Sequence, residues 1–248
     1  MSKFDSHARP AINYCRVIAI DGPAAAGKST VARMLADRLG AMLFDTGALY
    51  RAVALAALRS HVNPDDDGSL ARLAREVNIA IQPPSQNDGR LYDVRLNDED
   101  VTWPLRDPDV GAIVSRIAAH PSVRSALLPL QRRIAANGPV VMVGRDIGTV
   151  VVPEAGLKVY LDATPQERAR RRHGETRARG GTESYEEVLA ETLSRDTADS
   201  SRRAAPMRPA GDAIRLNTDD MTIGSVVAEI EEIARTRRDA TGTSIWPS

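Results

Sequence analysis

The sequence has very few of the residues that build disulfide frameworks or zinc sites. Cys15 is the only thiol among the 248 residues, so no internal disulfide can form. The histidines His7, His61, His120 and His173 are too scattered for the close ligand spacing of a zinc site. These absences exclude a disulfide-stabilised secreted domain and a zinc module, and they favour a reducing compartment.

Long hydrophobic runs are also missing. The chain has no apolar run of about 18 residues, the length that a membrane helix needs. The first 15 residues are mixed and polar, without the apolar core of a signal peptide. We therefore expect a cytoplasmic protein without a membrane partner. We interpret residues 1–15 as a flexible arm and 241–248 as a tail.

The chain lacks an excess of charge of either sign. Its 33 basic and 33 acidic residues cancel, which argues against nucleic acid as the main partner. Lysine is scarce, because only Lys3, Lys28 and Lys158 occur among the basic residues. With 42% hydrophobic residues the chain can bury a good-sized core, whereas only 4% are aromatic and no coiled-coil repeat is apparent. We expect a monomer.

The apolar pattern predicts a three-layer α/β/α protein. The segment 16–21 is a short apolar run that ends at a Gly-Pro turn, and a helix is predicted from Lys28 to Leu39 with Gly40 as its C-cap. Similar runs recur near residues 42–44, 140–143, 157–161 and 213–216. Five short strands separated by helices predict a parallel sheet with helices on both faces.

Two stretches depart from this alternation, and they predict additions to a core domain at residues 16–240. Between about 70 and 105 the segments 79–81, 91–96 and 101–103 have the pattern of small antiparallel strands, which we interpret as an inserted lobe. Residues 174–182 are irregular, contain Gly180 and Gly181, and follow a run of arginines. We interpret about 168–182 as a mobile lid.

A glycine-rich motif lies between the first predicted strand and the first predicted helix. The stretch GPAAAGKS at residues 22–29 fits the G-x-x-x-x-G-K-[ST] pattern in the context that the motif requires. Chance would give roughly two such matches per thousand chains of this composition. Backbone N–H groups of this loop wrap phosphates, the lysine reaches the β- and γ-phosphates, and the hydroxyl after it binds Mg²⁺. The predicted ATP-binding residues here are Gly22, Pro23, Ala24, Ala25, Ala26, Gly27, Lys28, Ser29 and Thr30, with Ser29 as the metal ligand.

A phosphate-binding loop alone does not separate GTPases, motor ATPases and small-molecule kinases. The chain contains no Asn-Lys-x-Asp element for guanine, and the nearest candidate, residues 216–219, lacks the lysine. Arginines after a strand and on adjoining helices favour a kinase, because bidentate guanidinium groups suit the two polyanions of phosphoryl transfer. They are Arg51, Arg145, Arg195 and Arg202.

A denser arginine cluster precedes the glycines of the predicted lid. It consists of Arg168, Arg170, Arg171, Arg172, Arg177 and Arg179. The cluster is compatible with a solvated helix face or a nucleic-acid contact. We prefer a lid that closes over the ATP phosphates and excludes water, which competes with the acceptor for the γ-phosphoryl group.

Five blocks in this order resemble the bacterial cytidylate kinase family, over about residues 16–232. They are IAIDGPAAAGKST, FDTGALYRAVALAAL, SRIAAHPSVRSALLPLQR, GRDIGTVVVPEAGLKVYLDATPQERARRR and the R-D-x-x-D-x-x-R-R-A-A-P segment from Arg195 to Pro206. The resemblance implies a P-loop nucleoside monophosphate kinase that uses Mg·ATP. It further implies that CMP and dCMP are the acceptors and that the inserted lobe binds them.

The resemblance assigns roles to individual residues. The acceptor-site residues that it implies are Thr46, Arg51, Ser115, Arg124, Arg145, Asp146, Arg195, Asp199 and Arg202. Among these, Arg51, Arg145 and Arg202 are expected to hold the phosphate, Arg195 and Asp199 to approach the sugar, and Ser115, Arg124 and Asp146 to read the base. We expect Arg168 and Arg172 to bind ATP. The expected catalytic residues are Lys28, Arg145, Arg172 and Arg202.

The chain departs from the family pattern in a few places. Val143 stands where relatives carry an acidic residue before Gly-Arg-Asp, so Asp21 or Asp45 is a candidate to compensate. The lid carries His173-Gly174 in place of a larger polar continuation. Alternatives to CMP phosphorylation are a kinase for another small acceptor, such as UMP or shikimate, and an ATP-dependent regulatory module.

Overall fold

A parallel β-sheet forms the centre of the protein, which a computed structural model describes over residues 15–178, 180–201, 206–237 and 244–246. The strands are β1 Val17–Asp21, β2 Met42–Asp45, β3 Ile79–Gln82, β4 Asp93–Leu96, β5 Glu99–Asp100, β6 Val140–Val143, β7 Leu157–Asp162 and β8 Ile214–Asn217. The α-helices are α1 Lys28–Leu39, α2 Gly47–Arg59, α3 Asp67–Glu76, α4 Pro108–Ala119, α5 Pro121–Ala136, α6 Pro165–Ala178, α7 Tyr185–Ser200 and α8 Ile223–Thr236. Within the described ranges, none of these helices combines the length and apolar character that crossing a membrane requires.

The central sheet has five strands in the order β2-β6-β1-β7-β8, and every neighbouring pair is parallel. Its central strand β1 is buried along its whole length. Val17 and Ala19 face one apolar cluster, with α2, α4 and α5, whereas Ile18 and Ile20 face the other, with α1 and α8. Helices therefore cover both faces of the sheet, and the predicted three-layer α/β/α fold is confirmed.

The loop between β1 and α1 has the backbone that its glycines allow. Gly22 has φ +145°, and a Cβ there would lie 2.0 Å from the carbonyl oxygen of Leu161 on the neighbouring strand β7. Gly27 has φ +82° and precedes the first helical residue, Lys28. At the other end, Gly40 is left-handed and its N–H donates to the Ala36 carbonyl. The predicted helix and its C-cap are confirmed.

A small antiparallel sheet with the order β3-β4-β5 forms the inserted lobe. The predicted third strand at 101–103 is wrong, because β5 spans Glu99–Asp100 and a 3₁₀ turn follows at Pro104–Arg106. At Thr102 the side-chain hydroxyl accepts the N–H of Val94, which replaces a backbone pair and ends the ladder. The predicted start of the lobe, near residue 70, falls inside α3, which begins at Asp67.

The predicted lid region corresponds to the hairpin of α6 and α7. The helix α6 continues through Gly174 to Ala178, so the prediction that the irregular stretch begins at Gly174 is wrong. Ion pairs of Glu167 with Arg170 and Arg171 support its first turns, and one exposed glycine costs a helix only about 1 kcal/mol. The helix α7 begins with a capping box between Ser184 and Glu187. Arg179 and Arg202 lie outside the described residues.

The described part of the tail packs against the helix that follows the glycine loop. Ile245 and Trp246 are each 2% exposed and belong to the apolar cluster beside α1 and α8. The Trp246 indole N–H donates to the carbonyl of Leu39 at 2.9 Å, and the Arg16 guanidinium lies 5.6 Å from the ring centroid. This segment therefore closes the carboxyl end of α1, a role that the sequence did not predict.

We predict that Trp246→Ala lowers the free energy of unfolding by about 3 kcal/mol, because the change empties a buried aromatic site and leaves a helix carbonyl without its donor. Chemical denaturation followed by circular dichroism measures this. The matched control is Trp103→Ala, since Trp103 is 39% exposed. Equal losses in the two variants would contradict the role of the tail.

Candidate active site

A cleft opens at the carboxyl ends of β1, β2 and β6, where ligands bind in open parallel sheets. It has a volume of about 350 Å³ and extends from the glycine loop to α4 and α5. The cleft is lined by these residues with predicted roles: Ala24, Ala25, Lys28, Ser29, Thr46, Arg51, Ser115, Arg124, Arg145, Asp146, Arg172, Arg195 and Asp199. Arg202 lies outside the described residues, so its place in the cleft stays a prediction.

Lys28 occupies the floor of the cleft. Its ammonium group donates to the Pro23 carbonyl at 2.5 Å, and the residue is 6% exposed. Burial lowers the pKa of Lys28 well below its usual range, and the nearby charge of Arg145 lowers it further. A polyphosphate in the loop would counter both effects, so the site favours an anion beside this amine.

Ser29 and Asp45 place two oxygens next to each other at the mouth of the loop. The Ser29 hydroxyl donates to Asp45 Oδ2 at 3.3 Å, while Asp45 Oδ1 accepts the N–H of Gly47 at 2.9 Å. Hydroxyl and carboxylate oxygens suit Mg²⁺, which is commonly held by one or two protein ligands together with substrate phosphates. The donor set therefore fits the ion. No cluster of three or more His, Cys, Asp or Glu side chains that suits a metal occurs among the described residues.

Arg124 and Asp146 form a pair at the far wall of the cleft. The guanidinium of Arg124 on α5 donates to Asp146 Oδ2, and the two side chains are only 11% and 7% exposed. The same guanidinium lies 5.5 Å from the ring centroid of Tyr50 on α2. Tyr50 lines the cleft and was missed by the sequence analysis, although it directly precedes Arg51 on one helix. A buried, mutually oriented donor and acceptor can read the polar edge of a planar base.

Four further arginines line the cleft: Arg51, Arg145, Arg172 and Arg195. Burial lowers the pKa of Arg195, and the like charges of Arg145 and Arg172 lower it further. Carboxylates offset part of this positive charge, since Arg145 donates to Asp199 Oδ2 at 3.0 Å. Such a concentration of half-buried positive charge favours binding of a phosphate group.

The turn after β6 requires a residue without a side chain. A Cβ on Gly144 would lie 2.5 Å from Cδ1 of Ile147 and 2.9 Å from the hydroxyl of Thr46. That hydroxyl donates to the Val143 carbonyl at 2.9 Å. Thr46 and Gly144 thus join the ends of β2 and β6 and fix the start of the segment that carries Arg145.

Arg168 lies beneath the glycine loop. Its guanidinium donates to the carbonyls of Ala163 at 2.9 Å and Ala24 at 3.2 Å, and to Asp196 Oδ1 on α7 at 3.0 Å. The side chain is 3% exposed. In this arrangement Arg168 of α6 joins the glycine loop to α7, and its contact with ATP stays a prediction.

A second cleft, of about 820 Å³, lies on the other side of the loop, between α6 and the start of α8. One of its walls is formed by Lys28, Ser29 and Thr30, at the end of the glycine loop. Its other walls include residues to which the sequence analysis gave no role in the site: Glu167, Glu175, Asp219, Met221, Thr222 and Ile223. Arg171 of α6 donates to the Thr218 carbonyl at 2.6 Å and so connects α6 to this wall.

Asp21 is a buried carboxylate under the cleft, at the end of β1. It is 4% exposed and accepts the N–H groups of Ile147 and Gly148, both at 2.8 Å. Burial raises the pKa of Asp21 to about 6, although the two hydrogen bonds oppose this rise.

A glycine loop between a central parallel strand and a helix, facing an arginine-lined cleft beside the α6–α7 hairpin, is typical of the P-loop kinases as a class. Comparison with known proteins agrees. The sequence profile described as "Cytidylate kinase" matches residues 18–236. The chain belongs to the cytidylate kinase family.

Individual relatives match over most of their length. A cytidylate kinase of Chloroflexus aggregans is 50% identical over 213 residues, which cover 86% of this chain and 91% of the relative. One from Carboxydothermus hydrogenoformans is 47% identical and covers 90% and 98%, and one from Herpetosiphon aurantiacus is 51% identical and covers 82% and 86%. The predicted resemblance and the prediction of a nucleoside monophosphate kinase enzyme are therefore confirmed.

The raised pKa of Asp21 predicts a pH-dependent contribution to stability. The folded state retains this proton up to about pH 6, whereas an unfolded Asp loses it near pH 4, so the stabilising contribution is full below about pH 4 and falls as pH rises to about 6. Asp21→Asn does not titrate. We therefore expect the unfolding free energy of the variant, relative to the wild type, to increase from pH 4 to pH 6.5. Urea denaturation at several pH values measures this difference, and a constant or decreasing difference would contradict the assignment.

Proposed function

We propose that the enzyme transfers the γ-phosphoryl group of ATP to CMP and dCMP. The observation that carries this proposal is the common cleft: Lys28 of the glycine loop lines the same space as the Arg124–Asp146 pair. Phosphoryl transfer requires the donor phosphates and the acceptor to meet in one water-excluded space. A base-reading pair and a triphosphate loop on the two walls of one cleft would bring the donor and the acceptor into one space.

The acceptor phosphate is proposed to bind between Arg51 and Arg145, with Arg202 as the third, predicted ligand. Arg51 donates to the Leu105 carbonyl at 3.3 Å and Arg145 to Asp199. A phosphate offers stronger, charge-assisted hydrogen bonds than a carbonyl does. Arg195 and Asp199 are proposed to face the sugar.

The base is proposed to lie against Ser115, Arg124 and Asp146. The exocyclic amine of cytosine donates to a carboxylate or hydroxyl, whereas its O2 and N3 accept from a guanidinium. Uracil has O4 in place of the amine, so it would turn an acceptor toward Asp146. Because both charged side chains are buried, such a mismatch leaves a polar group unpaired and is costly.

ATP is proposed to bind along residues 22–30, with its triphosphate under Lys28 and with Arg168 and Arg172 on its lid side. Ser29 would hold Mg²⁺, supported by the adjacent Asp45 carboxylate. When bound, the ion neutralises charge on the phosphate oxygens. Asp45 is thereby a candidate to supply the carboxylate that relatives carry at the position of Val143. Val143 itself is 2% exposed and packs in the apolar core beside α1.

The chemistry is proposed to be in-line transfer without a covalent enzyme intermediate. The acceptor is already a phosphate oxyanion near neutral pH, so no general base is required. Lys28, Arg145, Arg172 and Arg202 would stabilise the charge on the transferred group. Catalysis then depends on positioning and on closure of the site.

Two parts of the fold are proposed to close over the substrates. The lobe of β3, β4 and β5 leads into the turn whose Leu105 carbonyl binds Arg51, so it is connected to the acceptor site. The hairpin of α6 and α7 carries Arg172 and Arg195 into the cleft. Movement of either part would exclude the water that competes with the acceptor.

We predict that ADP release from Mg·ATP is fast with CMP or dCMP and at least about tenfold slower with UMP or AMP. Lys28→Ala removes the amine from the triphosphate and should lower kcat by at least about a hundredfold. A coupled ADP assay with the four acceptors measures both effects. Turnover on UMP or shikimate alone would contradict the base assignments. The absence of turnover on every acceptor, together with salt-dependent RNA binding, would favour a regulatory module.

We predict that Arg172→Ala lowers kcat by about a hundredfold, because a guanidinium of the cleft is removed from the transferred phosphoryl group. The matched control is Arg177→Ala, since Arg177 is exposed on the same helix and does not line the described clefts. Single-turnover kinetics with CMP compare the two variants. Equal activity of the two variants would contradict the assignment of Arg172.

A further inference from the structure

The residues after Asp146 form a π-helical turn, Ile147–Val151, at the edge of the cleft. The turn is closed by hydrogen bonds from Val151 N–H to the Asp146 carbonyl at 3.2 Å and from Val152 N–H to the Ile147 carbonyl at 2.8 Å. π-Turns are rare and occur frequently at functional sites. Arg145 and Asp146 directly precede this turn, so its position determines the position of both side chains.

The amino end of the turn is held by Asp21. The first N–H groups of a helical segment have no partner within the segment, and a negative charge is favourable there. Here Ile147 and Gly148 donate to the two carboxylate oxygens of Asp21, each at 2.8 Å. A Cβ on Gly148 would lie 3.5 Å from Asp21 Oδ2 and 3.0 Å from Cδ of Lys158, so the turn fits closely against its support.

The carboxyl end of the turn is held by Arg132. Its Nε donates to the Val151 carbonyl at 2.9 Å and its Nη2 to the Val150 carbonyl at 3.1 Å. The last carbonyls of a helical segment lack partners within it, and a positive charge is favourable there. Arg132 is exposed and does not line the cleft, and it lies on α5, the helix that also carries Arg124.

We propose that Asp21 and Arg132 are positioning residues that set the selectivity for the acceptor base. Asp21 fixes the turn from below, through β1, while Arg132 fixes it to α5. Since α5 also supplies Arg124, this helix holds two of the base-reading groups, Arg124 and Asp146, in register. The proposal rests on the proposed function, because the pair that it positions is the pair assigned to the cytosine ring. A displacement of a contact by about 1 Å can cost up to a hundredfold in rate.

A purely structural role for these residues makes a different prediction. It would lower the melting temperature and reduce activity on all acceptors in proportion. A positioning role lowers the ratio of kcat/KM for CMP to kcat/KM for UMP, and it leaves KM for ATP nearly unchanged. Variants of Arg132 distinguish the structural role from the positioning role well, because Arg132 lines neither of the two described clefts.

The experiment compares Arg132→Gln, Arg132→Lys and Arg133→Gln in the full chain. Arg133 follows on the same helix, is also exposed, and makes no hydrogen bond to the described residues of the turn. We expect Arg132→Gln to lower the CMP-to-UMP ratio about fivefold and Arg132→Lys about twofold, since lysine retains one charge-assisted bond. Arg133→Gln should match the wild type. Asp21→Asn, which replaces one acceptor oxygen by a donor, should lower the ratio about tenfold.

Thermal unfolding of every variant shows that the comparison is made on folded protein. An unchanged ratio in folded Arg132→Gln and Asp21→Asn would overturn the positioning role, while the proposed function would stand on the wild type's preference for CMP. Should Arg132→Gln not fold, the Arg132→Lys and Asp21→Asn variants decide in the same way. A wild type without preference for CMP would overturn the proposed function and this proposal together.

Discussion

The pairing of β1 with its two parallel neighbours determines where every other part of the site lies. Ile20 is in register with Val143 of β6, and Asp21 is in register with Tyr160 of β7. Parallel strands end at the same edge of a sheet, so the glycine loop and the Gly144–Asp146 segment emerge side by side. The close approach of Gly22 to the Leu161 carbonyl fixes the loop on the β7 side. A shift of one residue in either pairing would move the phosphate loop relative to the acceptor cleft.

The electrostatics of the cleft follow from this geometry. Several half-buried arginines and the buried Lys28 line one cleft, and like charges repel more strongly there than they do in bulk water. Carboxylates relieve that repulsion in the structure, as Asp199 does for Arg145 and Asp146 does for Arg124. A nucleotide phosphate brings negative charge to the same place. The cleft is thus arranged so that a substrate relieves like-charge repulsion as it binds.

Local patterns in the sequence predicted much of the fold. The helix Lys28–Leu39 and the strand Val140–Val143 have the predicted bounds, since one is a periodic apolar helix with a glycine cap and the other an uninterrupted buried strand. The third strand of the lobe was misplaced, because the Thr102 hydroxyl takes over a backbone bond there. A side-chain hydrogen bond that replaces a backbone hydrogen bond leaves no periodic signal in the sequence.

The candidate site was predictable to a different degree. The motif at residues 22–29 and the family resemblance named side chains that do line one cleft, whereas spacing alone would not have brought Ser115 and Lys28 together. Contacts between segments that are distant in the chain could not be predicted from local patterns. The bonds of Asp21 and Arg132 to the turn after Asp146, and of Trp246 to Leu39, join residues that are far apart in the chain.

The most direct test of the account is the equilibrium binding of CMP and UMP to the wild type and to Asp146→Asn, measured by isothermal titration calorimetry. We expect the wild type to bind CMP at least about tenfold more tightly than UMP, and the variant to lose most of this preference because an amide can also donate to O4 of uracil. Equal affinities of the wild type for the two nucleotides, or an undiminished preference in the variant, would contradict the assignment of the cleft to the cytosine base.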